Sequence, residues 1–360
     1  MNLISDNSIL TKGDVMKPKD MIIKAFEGGK PDRLPVTLFG AGMWSIKDFG
    51  TTFEALAHDP QKMTDMCVAE AARIRSDVVY VGSGFNNFHA QALGKSFGVG
   101  IKYREMGAPD MTSHFVNSEE DLAKLNIADV HKEPVVQTVL EATRRVKEKI
   151  GDTYLVTMTC WGPFTLAARM VGEETFMKAT FKKPAFVEKM VSFCADLLIH
   201  LYEPLVRDGL QCISIADPTA SGDLINKKQM EKFALPGLKK LTDWTKSKGA
   251  YSILHICGNT SDRLDLFPAT GASTIFFDQK VDIAKAKEAL EGKMSFGGNV
   301  APVHVLLNQD AAGVEKACRE IISIVGKAKG FILVPGCDIP PTIPYDNLKK
   351  FHDVAFETKL

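Results

Sequence analysis

Gln211-Cys212-Ile213-Ser214-Ile215-Ala216-Asp217-Pro218 opens a unit that closes on Tyr251-Ser252-Ile253-Leu254-His255-Ile256-Cys257-Gly258-Asn259. Both stretches are short apolar runs that give way at once to small and polar residues, and between them Lys227 to Lys248 repeats its apolar positions at helical spacing. A run too continuously apolar to have a wet face, a helix, and a second such run together read as a parallel strand–helix–strand unit.

The unit recurs outward in both directions. Strands are predicted at Leu34 to Phe39, Val78 to Val81, Tyr154 to Thr159, Gln211 to Ala216, Tyr251 to His255, Ser273 to Phe277, Met294 to Gly297 and Phe331 to Val334. Helical patterns lie at Lys62 to Arg75, Pro134 to Ile150, Pro184 to Arg207, Lys227 to Lys248, Ile283 to Leu290, Ala312 to Lys327 and Pro344 to Glu357; several open on the proline that suits a first helical turn. Eight parallel strands with intervening helices predict an α/β fold, a (β/α)8 TIM barrel in one domain over residues 17–360. Residues 1–16, with Asn, Ser, Asp and Gly interspersed, read as an N-terminal extension. The long gap between the second and third strands holds Gly84 to Met106, rich in Gly, Asn and aromatics, which reads as an inserted hairpin or lid.

The composition narrows what such a barrel does. With 360 residues, 45% of them hydrophobic and 24% charged, the chain is long enough for a large core and ordinary for a globular protein. Forty-four basic residues against 44 acidic ones leave no net charge, hence no long-range field to gather nucleic acid or an anionic membrane. No eighteen-residue apolar window and no secretory signal pattern is present, which predicts a cytoplasmic protein. Seven cysteines, an odd number, favour reduced thiols and metal or catalytic roles over a disulfide framework.

In a barrel the chemistry sits at the C-terminal ends of the strands. Those ends carry Asp217-Pro218, His255-Ile256-Cys257-Gly258-Asn259, Asp278-Gln279, Gly298-Asn299 and Gly336-Cys337-Asp338. His255 and Cys257, two apart on an extended segment, face the same side, and Cys337 emerges from the last strand across the mouth. One imidazole and two thiolates suit Zn2+, and three protein ligands leave a fourth position for substrate, as catalytic zinc requires. The two thiolates cancel the ion's charge, so a thiol bound in the open position becomes a thiolate and keeps its nucleophilicity. The same spacing also arises by chance, in which case these are ordinary buried residues. Asp217 reads as a catalytic candidate in three ways: a partner of a metal ligand, a fourth ligand displaced by the thiol, or a helix N-cap. Asn299 reads as a substrate-binding residue or a cap for the helix entered at Pro302.

Four segments resemble the zinc-dependent methylcobamide:coenzyme M methyltransferases of the uroporphyrinogen decarboxylase superfamily. They are Ile215-Ala216-Asp217-Pro218-Thr219-Ala220-Ser221, Leu254-His255-Ile256-Cys257-Gly258-Asn259, Phe296-Gly297-Gly298-Asn299-Val300 and Val334-Pro335-Gly336-Cys337-Asp338-Ile339-Pro340-Pro341. Lys30-Pro31-Asp32-Arg33-Leu34-Pro35-Val36 and Trp161-Gly162-Pro163-Phe164-Thr165-Leu166-Ala167 extend the likeness. The resemblance implies a zinc held by His255, Cys257 and Cys337, with a methyl group taken from a methylated corrinoid protein and passed to a thiol, usually coenzyme M. In that picture the thiolate attacks the cobalt-bound methyl carbon in line and leaves Co(I) on the partner. The chain has no Asp-x-His-x-x-Gly segment to ligate a cobalamin from below, so the methylcobamide is expected to arrive on that partner. Homocysteine or a folate is the alternative acceptor. Porphyrinogen decarboxylation is disfavoured, because Leu38-Phe39-Gly40-Ala41-Gly42-Met43 stands where those members carry an arginine for substrate carboxylates. A non-catalytic corrinoid-protein binder, or a barrel with a purely structural zinc, would instead show a saturated four-ligand site.

Overall fold

The computed structural model describes residues 16–40, 42–83, 85, 87–105 and 107–360. The extension expected at 1–16 therefore lies, but for Met16, outside the described residues. The strands are β1 (Val78–Val81), β2 (Ile101–Arg104), β3 (Gly107–Met111), β4 (Leu155–Trp161), β5 (Cys212–Ala216), β6 (Tyr251–Ile256), β7 (Thr274–Phe277), β8 (Ser295–Val300) and β9 (Phe331–Pro335). Seven of them form one sheet in the order β1-β4-β5-β6-β7-β8-β9, every pair parallel. Helices pack on its outer face, which gives the α/β barrel architecture.

The predicted first strand, Leu34 to Phe39, is where the seam closes, and it differs from expectation. It meets β9 through one bridge, Val36 to Leu333, flanked by Thr37 N–H to Leu333 O at 3.1 Å and Leu333 N–H to Pro35 O at 2.9 Å. On the β1 side, Asp77 N–H donates to Val36 O and the Val36 N–H goes to the Asp77 carboxylate, both at 2.9 Å. Pro35 has no N–H for a ladder, and the Val36 N–H is spent on a side chain, so the segment closes the barrel without becoming a regular strand.

Both faces of the seven-stranded sheet are buried, which is why the sequence shows unbroken apolar runs there rather than alternation. Tyr80, Leu155, Cys212, Ile253, Phe276, Ile332 and Val334 face inward and form one cluster with Ile22, Ala25 and Phe26 of the helix Pro18–Phe26, a stopper under the N-terminal ends of the strands. Ile213, Ile215, Leu254, Phe277 and Leu333 face outward into the cluster shared with the helices. The helix Pro184–Arg207 forms as its pattern predicts, whereas Lys227 to Lys248 breaks into Lys227–Gln229, a π-helical turn Met230–Ala234 and Leu235–Ser247. Pro236 explains the break, since it cannot donate to the carbonyl four residues earlier.

The insertion after β1 contains the helix Phe88–Gly94 and the antiparallel pair β2–β3, with Ile101 opposite Met111. The expected hairpin is present but runs on to Met111; Gly84 and Met106 themselves lie outside the described residues. Among the described residues no helix is long and apolar enough to cross a membrane.

Candidate metal centre

β6 delivers the first group. Its alternation turns His255 inward, fully buried, between Ala216 of β5 and Phe276 of β7 in register. His255 Nδ1 lies 2.9 Å from Phe276 O. A carbonyl only accepts, so the ring proton sits on Nδ1 and the Nε2 lone pair is left facing Cys257 Sγ at 3.1 Å. The Phe39 ring, its centroid 4.2 Å from that of the imidazole, covers one flank.

Cys257 sits one step past the strand, and the chain turns sharply at Gly258, where φ is +83°. A Cβ there would come within 2.5 Å of Asp223 Oδ2 and Ser221 Oγ, so glycine is required by conformation and by space. β9 delivers Cys337 after Gly336, whose backbone is pressed on Gln279: a Cβ would stand 2.5 Å from the Gln279 nitrogen. The two sulfur atoms end 3.5 Å apart.

His255, Cys257 and Cys337 thus offer three ligand atoms all within 4.8 Å of one another. Among the described residues no other group of His, Cys, Asp and Glu converges in this way. The separation is far beyond a disulfide bond, and a tetrahedral site with metal–sulfur bonds of about 2.3 Å would hold its sulfurs about 3.7 Å apart. The donor set therefore fits a four-coordinate, sulfur-preferring dication with little movement. His255 is buried while both cysteines are half-buried, so the open side of the set faces outward.

Two thiols this close cannot both ionise freely. The hydrogen bond from Cys257 holds the Cys337 thiol below the ordinary thiol value, and the same bond with burial pushes Cys257 up. A dication held there would take both sulfurs as thiolates.

The side chains of Asp217 and Asn299 are spent on neighbouring main chain, and the Asp217 N–H donates to His255 O at 2.8 Å. Asp217 is fully buried at the end of β5, its Oδ1 accepting the Thr165 N–H at 2.7 Å, so it caps the helix Pro163–Val171 that follows β4. Its Oδ2 has no partner, and burial pushes the carboxyl up to about 6. Asn299 Nδ2 donates to Asp278 O at 3.1 Å and Val281 O at 2.7 Å, fastening the turn after β7. The side chain of Asp278 in that turn accepts the Gly258 N–H at 2.8 Å. Its place directly after a predicted strand is the signal that singles it out; which way it turns is not in the sequence.

A family model described as uroporphyrinogen decarboxylase (URO-D) matches residues 17–357. The methylcobamide:CoM methyltransferase MtbA of Methanosarcina acetivorans is 32% identical over 342 residues, 94% of this chain and 97% of its own. The uroporphyrinogen decarboxylase of Myxococcus xanthus is 25% identical over 339 residues, 90% of this chain and 92% of its own. Among solved structures, a methyltransferase from Methanosarcina mazei superposes with a TM-score of 0.81 at 24% identity, covering 95% of this chain and 99% of that one, and shares the fold.

Proposed function

The chain belongs to the uroporphyrinogen decarboxylase (URO-D) family, and from that membership we propose that it is a zinc-dependent corrinoid methyltransferase, moving a methyl group from the methylcobamide of a methylated corrinoid protein to coenzyme M. The observation that carries the reading is the convergence of His255, Cys257 and Cys337 at the ends of β6 and β9. The near full-length likeness to a methylcobamide:CoM methyltransferase supports the donor and the acceptor.

His255, Cys257 and Cys337 would hold the Zn2+, which when bound supplies a position where an acceptor thiol sheds its proton at neutral pH. Each protein group has its own part in that. His255 brings a neutral imidazole, its proton committed to Phe276 O, so it adds no positive charge. Cys257 and Cys337 bring two negative charges, which leave the site electrically neutral and keep the acceptor sulfur electron-rich. Cys257 and Cys337, only half-buried, leave the outward side open, so acceptor and methyl donor approach from the barrel mouth.

The test is to offer the zinc-loaded protein methylcobalamin with a panel of thiols and follow the Co(I) spectrum and the methylated product. Coenzyme M is expected to be the preferred acceptor. Cys257→Ala and Cys337→Ala are expected to lose both zinc and transfer while keeping the far-ultraviolet circular dichroism of the native barrel. Failure of every thiol to demethylate the cofactor would overturn the reading.

A further inference from the structure

The turn Asp278-Gln279-Lys280-Val281, between β7 and the helix Ile283–Leu290, touches both loops that carry the sulfur atoms. Asp278 is 5% exposed, and its carboxylate is divided: Oδ2 accepts the Gly258 N–H at 2.8 Å and Oδ1 accepts the Lys280 N–H at 2.9 Å. The first bond crosses from the end of β7 to the end of β6 and grips the peptide directly after Cys257. The second holds the turn in its own shape. Lys280 adds a further tie, its Nζ lying 2.7 Å from Asp223 Oδ2, which also accepts the Asn259 N–H at 3.4 Å.

On its other side the turn backs Cys337. Gly336 packs so tightly on the Gln279 main chain that no side chain fits between them. The turn is anchored in its place by Asn299, whose amide donates to the carbonyls at both of its ends, Asp278 and Val281.

We infer that Asp278 is a positioning residue that sets the spacing of the two sulfurs, by tying the Cys257-Gly258 peptide to a turn that itself supports Cys337. The inference rests on reading His255, Cys257 and Cys337 as metal ligands. A carboxylate accepts main-chain N–H groups more strongly than a neutral oxygen does, and a ligand set already held at its bound spacing spends less binding energy on ordering.

The test compares wild-type protein, Asp278→Ala and Asp278→Asn, each loaded with Co2+ in place of Zn2+. Three quantities are read: affinity in competition with a chelator, the thiolate-to-cobalt absorption bands at saturation, and the urea unfolding of the metal-free proteins. Asp278→Ala is expected to lower metal affinity about ten- to hundred-fold and to shift the thiolate bands. Asp278→Asn keeps the volume and one acceptor oxygen, and is expected to recover part of both. Asp278→Ala with wild-type affinity and bands overturns the inference. So does an affinity loss that merely follows lost stability with the saturated spectrum unchanged, since that marks a structural residue. A wild-type protein that takes up no Co2+ overturns the ligand reading along with the inference, and is thereby distinguished from a failure of the inference alone.

Discussion

Asp217 shows how one buried carboxyl serves structure at a cost that depends on pH. It caps the helix Pro163–Val171 through the Thr165 N–H, yet its second oxygen is sealed from water without a partner. Burial therefore raises its folded-state pKa from the ordinary aspartate range to about 6. A raised carboxyl pKa means that the folded protein holds the proton more tightly than the unfolded chain. The stability it contributes is complete below the ordinary value, falls as pH rises through the window up to about 6, and stays low above it. A rise of that size is equivalent to about 3 kcal/mol. Asp217→Asn keeps an acceptor oxygen for Thr165 and has no charge to bury. Urea unfolding of the two proteins, followed from below the ordinary aspartate value up to neutral pH, is expected to converge at the acid end, with the variant more stable toward neutrality. Parallel curves would mean that the carboxyl is solvated in the folded state.

Elements bring the candidate ligands together, and here the sequence is legible in some places and silent in others. Helix Pro184–Arg207 and the runs that became β5 and β6 could be read because burial on both faces leaves an unmistakable apolar pattern. The convergence of His255, Cys257 and Cys337 could be read because they stand at strand ends, which a barrel gathers at one mouth. The orientations of Asp217 and Asn299 could not, because whether a side chain at a strand end turns to the mouth or to a neighbouring loop is decided by loops distant in sequence. The closure at residues 34–39 was equally hidden, since the apolar pattern does not reveal that the Val36 N–H is claimed by Asp77. Gly258 offers a direct probe of the element scale. Gly258 and Gly292 have nearly the same left-handed backbone, φ +83° and +79°, but a Cβ at Gly292 meets nothing within 4 Å. Gly292→Ala should cost only the backbone strain, about 1–2 kcal/mol, and leave metal affinity as it is. Gly258→Ala adds the collision with Asp223 and Ser221, and should also weaken metal binding at least tenfold by moving Cys257. Chelator competition and urea unfolding of the pair separate the two costs; equal metal affinities would show that the turn tolerates the displacement.

The whole molecule depends on closing its cylinder where no regular strand does the work. Among the described residues the barrel sheet has seven ladder strands, so the gap between β9 and β1 is spanned by a segment with only a few main-chain bonds to either side. The buried pair Arg33–Asp77 supplies the rest. Arg33 reaches both oxygens of Asp77, at 2.9 and 2.7 Å, and the same carboxylate takes the Val36 N–H. Asp77 thus fastens the segment before β1 to the segment that carries Phe39, the ring covering His255. Two opposite charges removed from water gain little as a pair, but removing one partner leaves the other buried and only partly answered. Asp77→Ala is accordingly expected to lower the unfolding free energy by about 3–5 kcal/mol in urea titrations. Asp77→Asn, which retains an acceptor for Val36 or for Arg33 but no charge, should fall between the alanine variant and the native protein. Because the seam also holds Phe39, Asp77→Ala should raise the accessibility of His255, read as faster loss of bound metal to a chelator below the unfolding transition. A variant as stable as the native protein would place the closure of the barrel in the hydrophobic contacts of the seam instead of in this ion pair.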